Sequence, residues 1–236
     1  MTTVPDIQLD PMQLLMGFLY GALPYIALVT LVVGTILRYM YQERSWSTKS
    51  SEFLAKKSLK FANPIFHLGL LMVFGGHFVG ILVPKFVTEM GGTDDHMYHM
   101  ISLMGGLPAG ALLLLGFVLL MVRRFATHKS RLQVNTSSMD KLLYLVLAFT
   151  IVTGCLATLS NIPGGFDYRE SISPWFRSVL MLSPNISLMA DVPLIFRAHM
   201  LSWMLLALLF PFTRLVHCLS FPFEYFLRKP IVYRQR

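Results

Sequence analysis

Four histidines lie within hydrophobic stretches of the chain, His67 and His77 in one stretch and His199 and His217 in another. A polar side chain at membrane depth is costly unless it has a partner, so an intramembrane histidine indicates a functional site. Imidazole is also the commonest metal ligand in proteins. Two histidines in each of two stretches can form two bis-histidine sites, and we interpret the four residues as axial ligands of two haems.

Other interpretations of these histidines are less favoured. Two histidines per site would leave the four-coordinate shell of zinc incomplete. A backbone carbonyl could satisfy each imidazole separately, but this is harder to accept for four residues in two stretches than for one. The chain has two cysteines, Cys155 and Cys218, and no Cys-x-x-Cys-His sequence, so a covalent c-type haem is excluded. The predicted haems are therefore bound non-covalently.

The composition is that of an integral membrane protein, with 55% hydrophobic residues, 14% charged residues and a mean hydropathy of +0.60. Five segments are long and apolar enough to cross about 30 Å of hydrocarbon as helices. They are Leu14–Leu37, Phe61–Val83, Met100–Val122, Leu142–Ile162 and Val192–Phe221. We predict an all-α integral membrane bundle of five transmembrane helices, forming a single domain over residues 1–236. Pro211 is expected to bend the last helix without ending it.

Basic residues are distributed unevenly between the two ends of this bundle. Sixteen of the 20 lysines and arginines lie in or beside the connections after spans one and three, or from the end of span five onward. The positive-inside rule then predicts an outside N-terminus and a cytoplasmic C-terminus. The same pattern accounts for the formal net charge of +8 without nucleic acid as a partner. The longest outer connection, residues 163–191, is expected to carry an amphipathic segment, Trp175–Leu182, on the outer surface.

In this orientation the antiparallel spans two and five bring the histidines to two matching depths. His77 faces His199 on the outer side, and His67 faces His217 on the inner side. The spacings differ, because ten residues of helix in span two rise about 15 Å whereas eighteen residues in span five rise about 27 Å. Helix tilt, a bend at Pro211 and side-chain reach must absorb this difference.

Small and basic residues beside the histidines suit a large flat ligand that carries carboxylates. Gly69 and Gly76 remove side chains from span two, which allows close approach to a ligand or close packing of two helices. Arg197 and Arg214 each lie near a histidine of span five. Their guanidinium groups could pair with haem propionates or extend to the membrane interface. His96 and His99 lie at the outer mouth of span three, either as solvated loop residues or as quinol-binding or proton-accepting groups.

Several motifs of spans two and five resemble one family, the gamma subunit of respiratory nitrate reductase, which is the membrane cytochrome b of that complex. The motifs are Asn63–Gly69 (NPIFHLG), Gly76–Gly80 (GHFVG) with Pro84, Ile195–His199 (IFRAH), Phe210–His217 (FPFTRLVH) and Pro222–Tyr225 (PFEY). The resemblance covers nearly the whole chain, including its length, its five spans and its orientation.

The resemblance implies a dihaem cytochrome b in the cytoplasmic membrane of a prokaryote that oxidises quinol near the outer face. Electrons would pass inward through two b haems, held by the same histidine pairs, to an iron–sulfur subunit and a molybdenum-containing catalytic subunit in the cytoplasm. The tail Pro222–Arg236 would dock these subunits or bind lipid headgroups. The family has a quinol-associated lysine in the outer loop where this chain has Met97, and Lys85, His96 or His99 are the candidates to replace it.

Two alternatives stay open. A related membrane cytochrome b could serve a heterodisulfide- or sulfite-reductase-type complex, because the haem ligands do not determine the cytoplasmic partner. A transporter that uses intramembrane histidines as a proton relay belongs to a different class. That class predicts no haem absorption and more often has repeats or broken helices, and neither is evident in the sequence.

Overall fold

The computed structural model describes residues 10–42, 56–127 and 136–219, and within these ranges the chain is helical with no strand. Five helical segments are long and apolar enough to cross a membrane, which confirms the predicted all-α bundle with five candidate spans. Spans one to five are Pro11–Tyr41, Leu59–Leu82, Asp95–Ala126, Ser138–Ser160 and Leu194–Phe212. The predicted docking tail, Pro222–Arg236, lies outside the described residues.

Most of each span is α-helix, and short turns of other helix types interrupt or extend four of the five. The α-helices are Pro11–Gly17, Leu23–Gln42, Lys56–His77, Lys85–Met90, Asp95–Val122, Ser138–Ser160, Ile172–Leu180 and Leu194–Leu209. The π-helical turns are Phe18–Ala22, Phe78–Leu82 and Arg123–Thr127, and the 3₁₀ turns are Ile186–Met189, Phe210–Phe212 and Arg214–Leu219.

Side-chain caps begin spans three and four at the positions where the apolar stretches start. Asp94 accepts a hydrogen bond from the Met97 amide at 2.6 Å. Ser137 and Asp140 form a reciprocal capping box, at 3.1 and 2.9 Å. Such caps satisfy amides that lack partners in the first turn of a helix. The caps therefore mark the residues at which the two helices begin.

The backbones of spans two and three touch where the helices cross, because each helix has a glycine at the contact. A Cβ on Gly69 would lie 2.7 Å from the Cα of Leu113, and one on Gly116 would lie 2.5 Å from the Cα of Phe66. Distances this short leave no room for a side chain, so both positions require glycine. Span five packs against spans one and four.

The connection before span five contains the short helix Ile172–Leu180, which begins three residues before the predicted segment. Trp175 is 2% exposed, and its indole N–H donates to the backbone oxygen of Tyr20 at 3.0 Å. Ser173 and Arg177 donate to the carbonyls of Gly80 and Ile81 at the end of span two. The predicted amphipathic segment is therefore observed, with its aromatic face buried among the span ends and residues 180–182 exposed.

Span five differs from the sequence prediction at Pro211. The α-helix ends at Leu209, and after one 3₁₀ turn Thr213 is extended, with φ −117° and ψ −177°. A second 3₁₀ turn, Arg214–Leu219, carries His217. Proline lacks an amide hydrogen and its ring clashes with the preceding turn. The expectation that Pro211 only bends a continuous helix is therefore wrong.

Candidate cofactor sites

The structure brings the four histidines together as the two predicted pairs. The ring centroids of His77 and His199 are 5.8 Å apart, and those of His67 and His217 are 6.5 Å apart. Each pair joins span two to span five or to the turn that follows it. The pairing is thus observed, whereas ligation by the pairs is a proposal taken up below.

The break at Pro211 resolves the unequal spacings. His67 and His77 lie on one continuous α-helix, about 15 Å apart along its axis. A straight helix from His199 would carry His217 about 12 Å too far to meet His67. Because the helix ends at Leu209, the chain changes direction, and His217 returns to the level of its partner.

Residues of span one stabilise the helix break that precedes His217. Arg38 donates from one guanidinium nitrogen to the backbone oxygens of Pro211 and Thr213, both at 2.7 Å. These are carbonyls that a helix end leaves without helical partners. Gly34 provides the space, since a Cβ there would lie 2.8 Å from Cγ of Pro211. Sequence reasoning missed both residues, although a glycine and an arginine one turn apart in span one were a visible signal.

A charged pair also anchors this end of the molecule. The Arg214 guanidinium lies 2.7 Å from the buried carboxylate of Asp140, which also belongs to the cap of span four. The Nδ1 of His217 meets the backbone oxygen of Arg214. Arg214 therefore links the His217 turn to span four, and its predicted contact with a haem propionate stays a prediction.

The ring of His199 rests against span four, which sequence reasoning did not connect with the site. A Cβ on Gly154 would lie 2.7 Å from Cε1 of His199, so only glycine leaves room for this ring. The Nδ1 of His199 lies 3.1 Å from the backbone oxygen of Thr150 and 3.3 Å from the hydroxyl of Thr153. The signal in the sequence was a glycine directly after a threonine in the middle of an apolar span.

All four histidines share one hydrogen-bond arrangement, in which Nδ1 faces a backbone carbonyl oxygen. For His67, His77, His199 and His217 the acceptors are the oxygens of Asn63, Val73, Thr150 and Arg214, in that order. A carbonyl oxygen only accepts, so Nδ1 carries the proton and the neutral imidazole keeps its lone pair on Nε2. This is the tautomer that binds a metal through Nε2.

The spacing of each pair fits two imidazoles on opposite sides of one iron atom. With metal–nitrogen bonds of about 2.0–2.1 Å, the ring centroids of such a pair lie roughly 6 Å apart. The observed distances of 5.8 and 6.5 Å bracket this value. Within residues 10–42, 56–127 and 136–219, no group of three or more His, Cys, Asp or Glu side chains is placed to hold a metal ion. The donor set therefore suits a metal that brings its own equatorial ligands.

The two glycines predicted to face a cofactor lie in different surroundings. A Cβ on Gly76 would meet nothing within 4 Å, so the backbone beside His77 is open. Gly69 instead faces the backbone of span three at Leu113. The observed function of Gly69 is helix packing, and a cofactor contact at either glycine remains a prediction.

Arg197 is bound to the connection before span five. Its Nε donates to the backbone oxygen of Val192 at 2.6 Å, and Nη2 donates to the backbone oxygen of Ala190. These bonds hold the loop against the first turn of span five, two residues before His199. The predicted propionate contact of Arg197 is not tested by these bonds.

The three quinol-site candidates lie in unlike positions. The Lys85 amine is 2.7 Å from a Glu170 oxygen and 3.0 Å from an Asp95 oxygen, and these hydrogen bonds raise the pKa of Lys85. His96 is exposed. The Nε2 of His99 donates to the backbone oxygen of Ile162 at 3.2 Å, which leaves its Nδ1 as an acceptor.

Of the three candidates, His99 alone lines a cavity of about 240 Å³ between the start of span three and the connection that follows span four. Buried Arg169 also lines it, lies 3.8 Å above the Tyr98 ring, and has no hydrogen-bond partner for Nη1. The Tyr98 and Tyr168 hydroxyls are 3.2 Å apart. Burial raises the pKa of Tyr168, and the hydrogen bond to Tyr98 raises it further. The Tyr168 hydroxyl abuts Gly80, which lies three residues after His77 in span two.

A five-span helical membrane bundle with two facing histidine pairs is the class of protein that these observations define. The family model for the nitrate reductase gamma subunit matches residues 16–236. The chain is 43% identical over 219 residues to the nitrate reductase gamma chain of Bacillus subtilis (strain 168), covering 92% of this chain and 97% of that one.

Two further relatives agree with this match. The respiratory nitrate reductase 1 gamma chain of Escherichia coli (strain K12) is 35% identical, and the match covers 95% of this chain and 100% of that one. A nitrate reductase-like protein NarX of Mycobacterium tuberculosis (strain H37Rv) is 39% identical over 94% of this chain and 34% of its own length. The chain belongs to the nitrate reductase gamma subunit family, whose members are membrane anchors of the cytochrome b type.

Proposed function

We propose that this chain is the dihaem cytochrome b subunit of a respiratory nitrate reductase. It oxidises quinol at one membrane face and passes the electrons through two b haems to partner subunits at the other face. The observation that carries the proposal is the two facing histidine pairs, in which every ring turns its Nδ1 toward a backbone carbonyl oxygen. Family membership supports the same function.

The pair His77 and His199 would hold the outer haem, and the pair His67 and His217 would hold the inner haem. A non-covalent haem bound by the two imidazoles of each pair would supply a one-electron carrier that does not bind oxygen. The open backbone at Gly76 offers room beside the outer pair. Arg197 and Arg214 remain the proposed partners of the propionates.

The charge distribution supports the proposed orientation, with the N-terminus outside and the C-terminus in the cytoplasm of a prokaryotic cell membrane. The His77 pair then lies toward the outer face. Inward electron transfer against the membrane potential stores about 2.3 kcal/mol per electron per 100 mV. The proposed partners are an iron–sulfur subunit and a molybdenum-containing catalytic subunit on the cytoplasmic side.

The cavity beside Tyr98, His99 and Arg169 is the proposed quinol site. Tyr168 lines this cavity and also abuts Gly80, three residues after His77, so the cavity and the outer pair are connected through one side chain. The unsatisfied Nη1 of Arg169 can donate to a quinone oxygen, and Nδ1 of His99 can accept a quinol proton. Lys85 is less suited, because its amine is held by carboxylates.

An assay of haem reduction by quinol, performed on the purified chain, tests this function. A short-chain quinol should reduce haem with b-type absorption bands, and no such bands in the wild type would overturn the proposal. His99→Leu should slow reduction by quinol at least tenfold, whereas dithionite still reduces both haems fully. His96→Leu is the matched control, since His96 is exposed and does not line the cavity. Equal slowing in both variants would contradict the proposed quinol site.

A further inference from the structure

His199 is held differently from the other three histidines. The Nδ1 groups of His67, His77 and His217 bond to carbonyls three or four residues earlier in the chain. The Nδ1 of His199 bonds instead across to span four. The orientation of this ring therefore depends on a contact between two helices.

The contact consists of two acceptors on one turn of span four. The Nδ1–H of His199 is shared between the Thr150 carbonyl at 3.1 Å and the Thr153 hydroxyl at 3.3 Å. The Thr153 hydroxyl gives its own hydrogen to carbonyls of its helix, with Phe149 oxygen at 2.8 Å and Thr150 oxygen at 3.1 Å. Its lone pair is thereby left to face the imidazole.

The environment strengthens this bond. Thr153 is only 5% exposed and lies within a membrane span, so bulk water does not compete for the imidazole hydrogen. Gly154 leaves the space that the ring occupies beside span four, and a Cβ at this position would lie only 2.7 Å from Cε1 of the ring. The Thr153 hydroxyl and the lack of a side chain on Gly154 together fix the tautomer and the position of the His199 ring.

We propose that Thr153 and Gly154 are positioning residues that seat His199 and lower the redox potential of the haem bound there. The inference rests on the proposed function, because it requires a haem between His77 and His199. An acceptor on Nδ1–H makes the imidazole a more basic ligand, and a more basic ligand favours oxidised iron. Thr153 thus favours passing the electron on from this haem toward the other pair.

Redox titration of purified variants tests the hydroxyl. Thr153→Val removes the acceptor at nearly constant volume and should raise the midpoint potential of the outer haem alone. Loss of one of two acceptors should change the electron-transfer equilibrium between the haems roughly two- to fivefold. Thr153→Ser restores a hydroxyl and should restore the potential. If the valine variant does not accumulate, Thr153→Ala should give the same upward shift.

Thr150→Val is the matched control. The Thr150 hydroxyl bonds to the Val146 carbonyl on the same helix, whereas only the Thr150 backbone oxygen meets His199. This variant should therefore leave both potentials unchanged. Both haems present with an unchanged outer potential in Thr153→Val, or an equal shift in Thr150→Val, would overturn the inference. Absence of haem from the wild type would instead refute the proposed function.

Gly154→Ala tests the position of the ring rather than its basicity. The added methyl group would overlap Cε1 of His199. We expect loss of the low-spin signal of the outer haem with the inner haem retained. Gly165→Ala is the control, since a Cβ there would meet nothing within 4 Å. An unchanged low-spin spectrum in Gly154→Ala would contradict the proposed seat.

Discussion

His199 and His217 are held in place by different kinds of contact, although their partners on span two lie on one continuous helix. His199 sits inside an intact helix and is seated by small and neutral groups of span four. His217 sits beyond a helix break and is held by two arginines, Arg38 and Arg214. The two pairs have similar ring spacing, but packing of small residues positions the His77–His199 pair, whereas contacts of charged side chains position the His67–His217 pair.

This difference means that the two proposed haem sites should fail independently. Substitutions of charged residues should disturb the His67–His217 pair, and substitutions of small residues should disturb the His77–His199 pair. The helix of span two is common to both pairs, so changes to its histidines give the largest effects and provide the reference for the others.

The largest expected effect comes from single substitution of the span-two histidines. His77→Leu should abolish the outer haem and His67→Leu the inner haem, because each removes one axial ligand. The haem content should fall from two to one per chain in each variant, and redox titration should lose a different component in each. Loss of the same component from both variants would contradict the pairing.

Arg38→Met should weaken the inner site next. The variant loses hydrogen bonds from a charged donor to two carbonyls, which are worth about 1.5–3 kcal/mol each. We expect the inner haem to be lost or loosely bound while the outer haem remains, as measured by haem content and redox titration. Lys141→Met, which changes an exposed basic residue near the same end, serves as the control. Equal loss of both haems would show that Arg38 supports the whole bundle rather than this site.

Asp140→Asn should have a smaller effect of the same kind. The amide keeps the shape of the side chain but removes the charge that meets Arg214, at a cost of about 1–3 kcal/mol. The inner haem should change its potential or occupancy in a redox titration while the outer haem does not. Ser137→Ala weakens the same helix cap without touching the ion pair, so it separates the two contributions. An equal effect from Ser137→Ala would assign the result to the cap.

Lys85→Met should have the smallest effect and leave both haems in place. The pKa of Lys85 is raised in the folded chain, so its ion pairs contribute stability at neutral pH and lose it as the pH rises through that raised value. Melting temperatures of variant and wild type should therefore differ slightly and constantly between about pH 6 and 9, and converge in strongly alkaline solution. A loss of quinol-dependent haem reduction would instead return Lys85 to the quinol site.

The spans and the histidine pairs could be predicted because they depend on properties that the sequence displays directly. Apolar length marks the spans, and antiparallel order brings residues of equal depth together. The break at Pro211 could not be predicted, since a proline inside a helix can bend it or end it. The outcome depends on whether a neighbour such as Arg38 donates hydrogen bonds to the exposed carbonyls.

The importance of Gly154 and Trp175 also lay beyond the sequence. A glycine in an apolar span is equally compatible with general helix packing, and only the neighbouring helix reveals that His199 fills its space. An amphipathic segment with Trp175 fits a membrane surface as well as a protein core. Its burial depends on where the folded chain places Tyr20, which lies near the start of span one.

The central claim is that each histidine pair holds one haem, and haem quantification of the purified chain combined with low-temperature electron paramagnetic resonance tests it most directly. We predict two non-covalent haems per polypeptide, both low-spin with two axial imidazoles, and two components in a redox titration. One haem per chain, a high-spin iron or no b-type absorption would contradict the account.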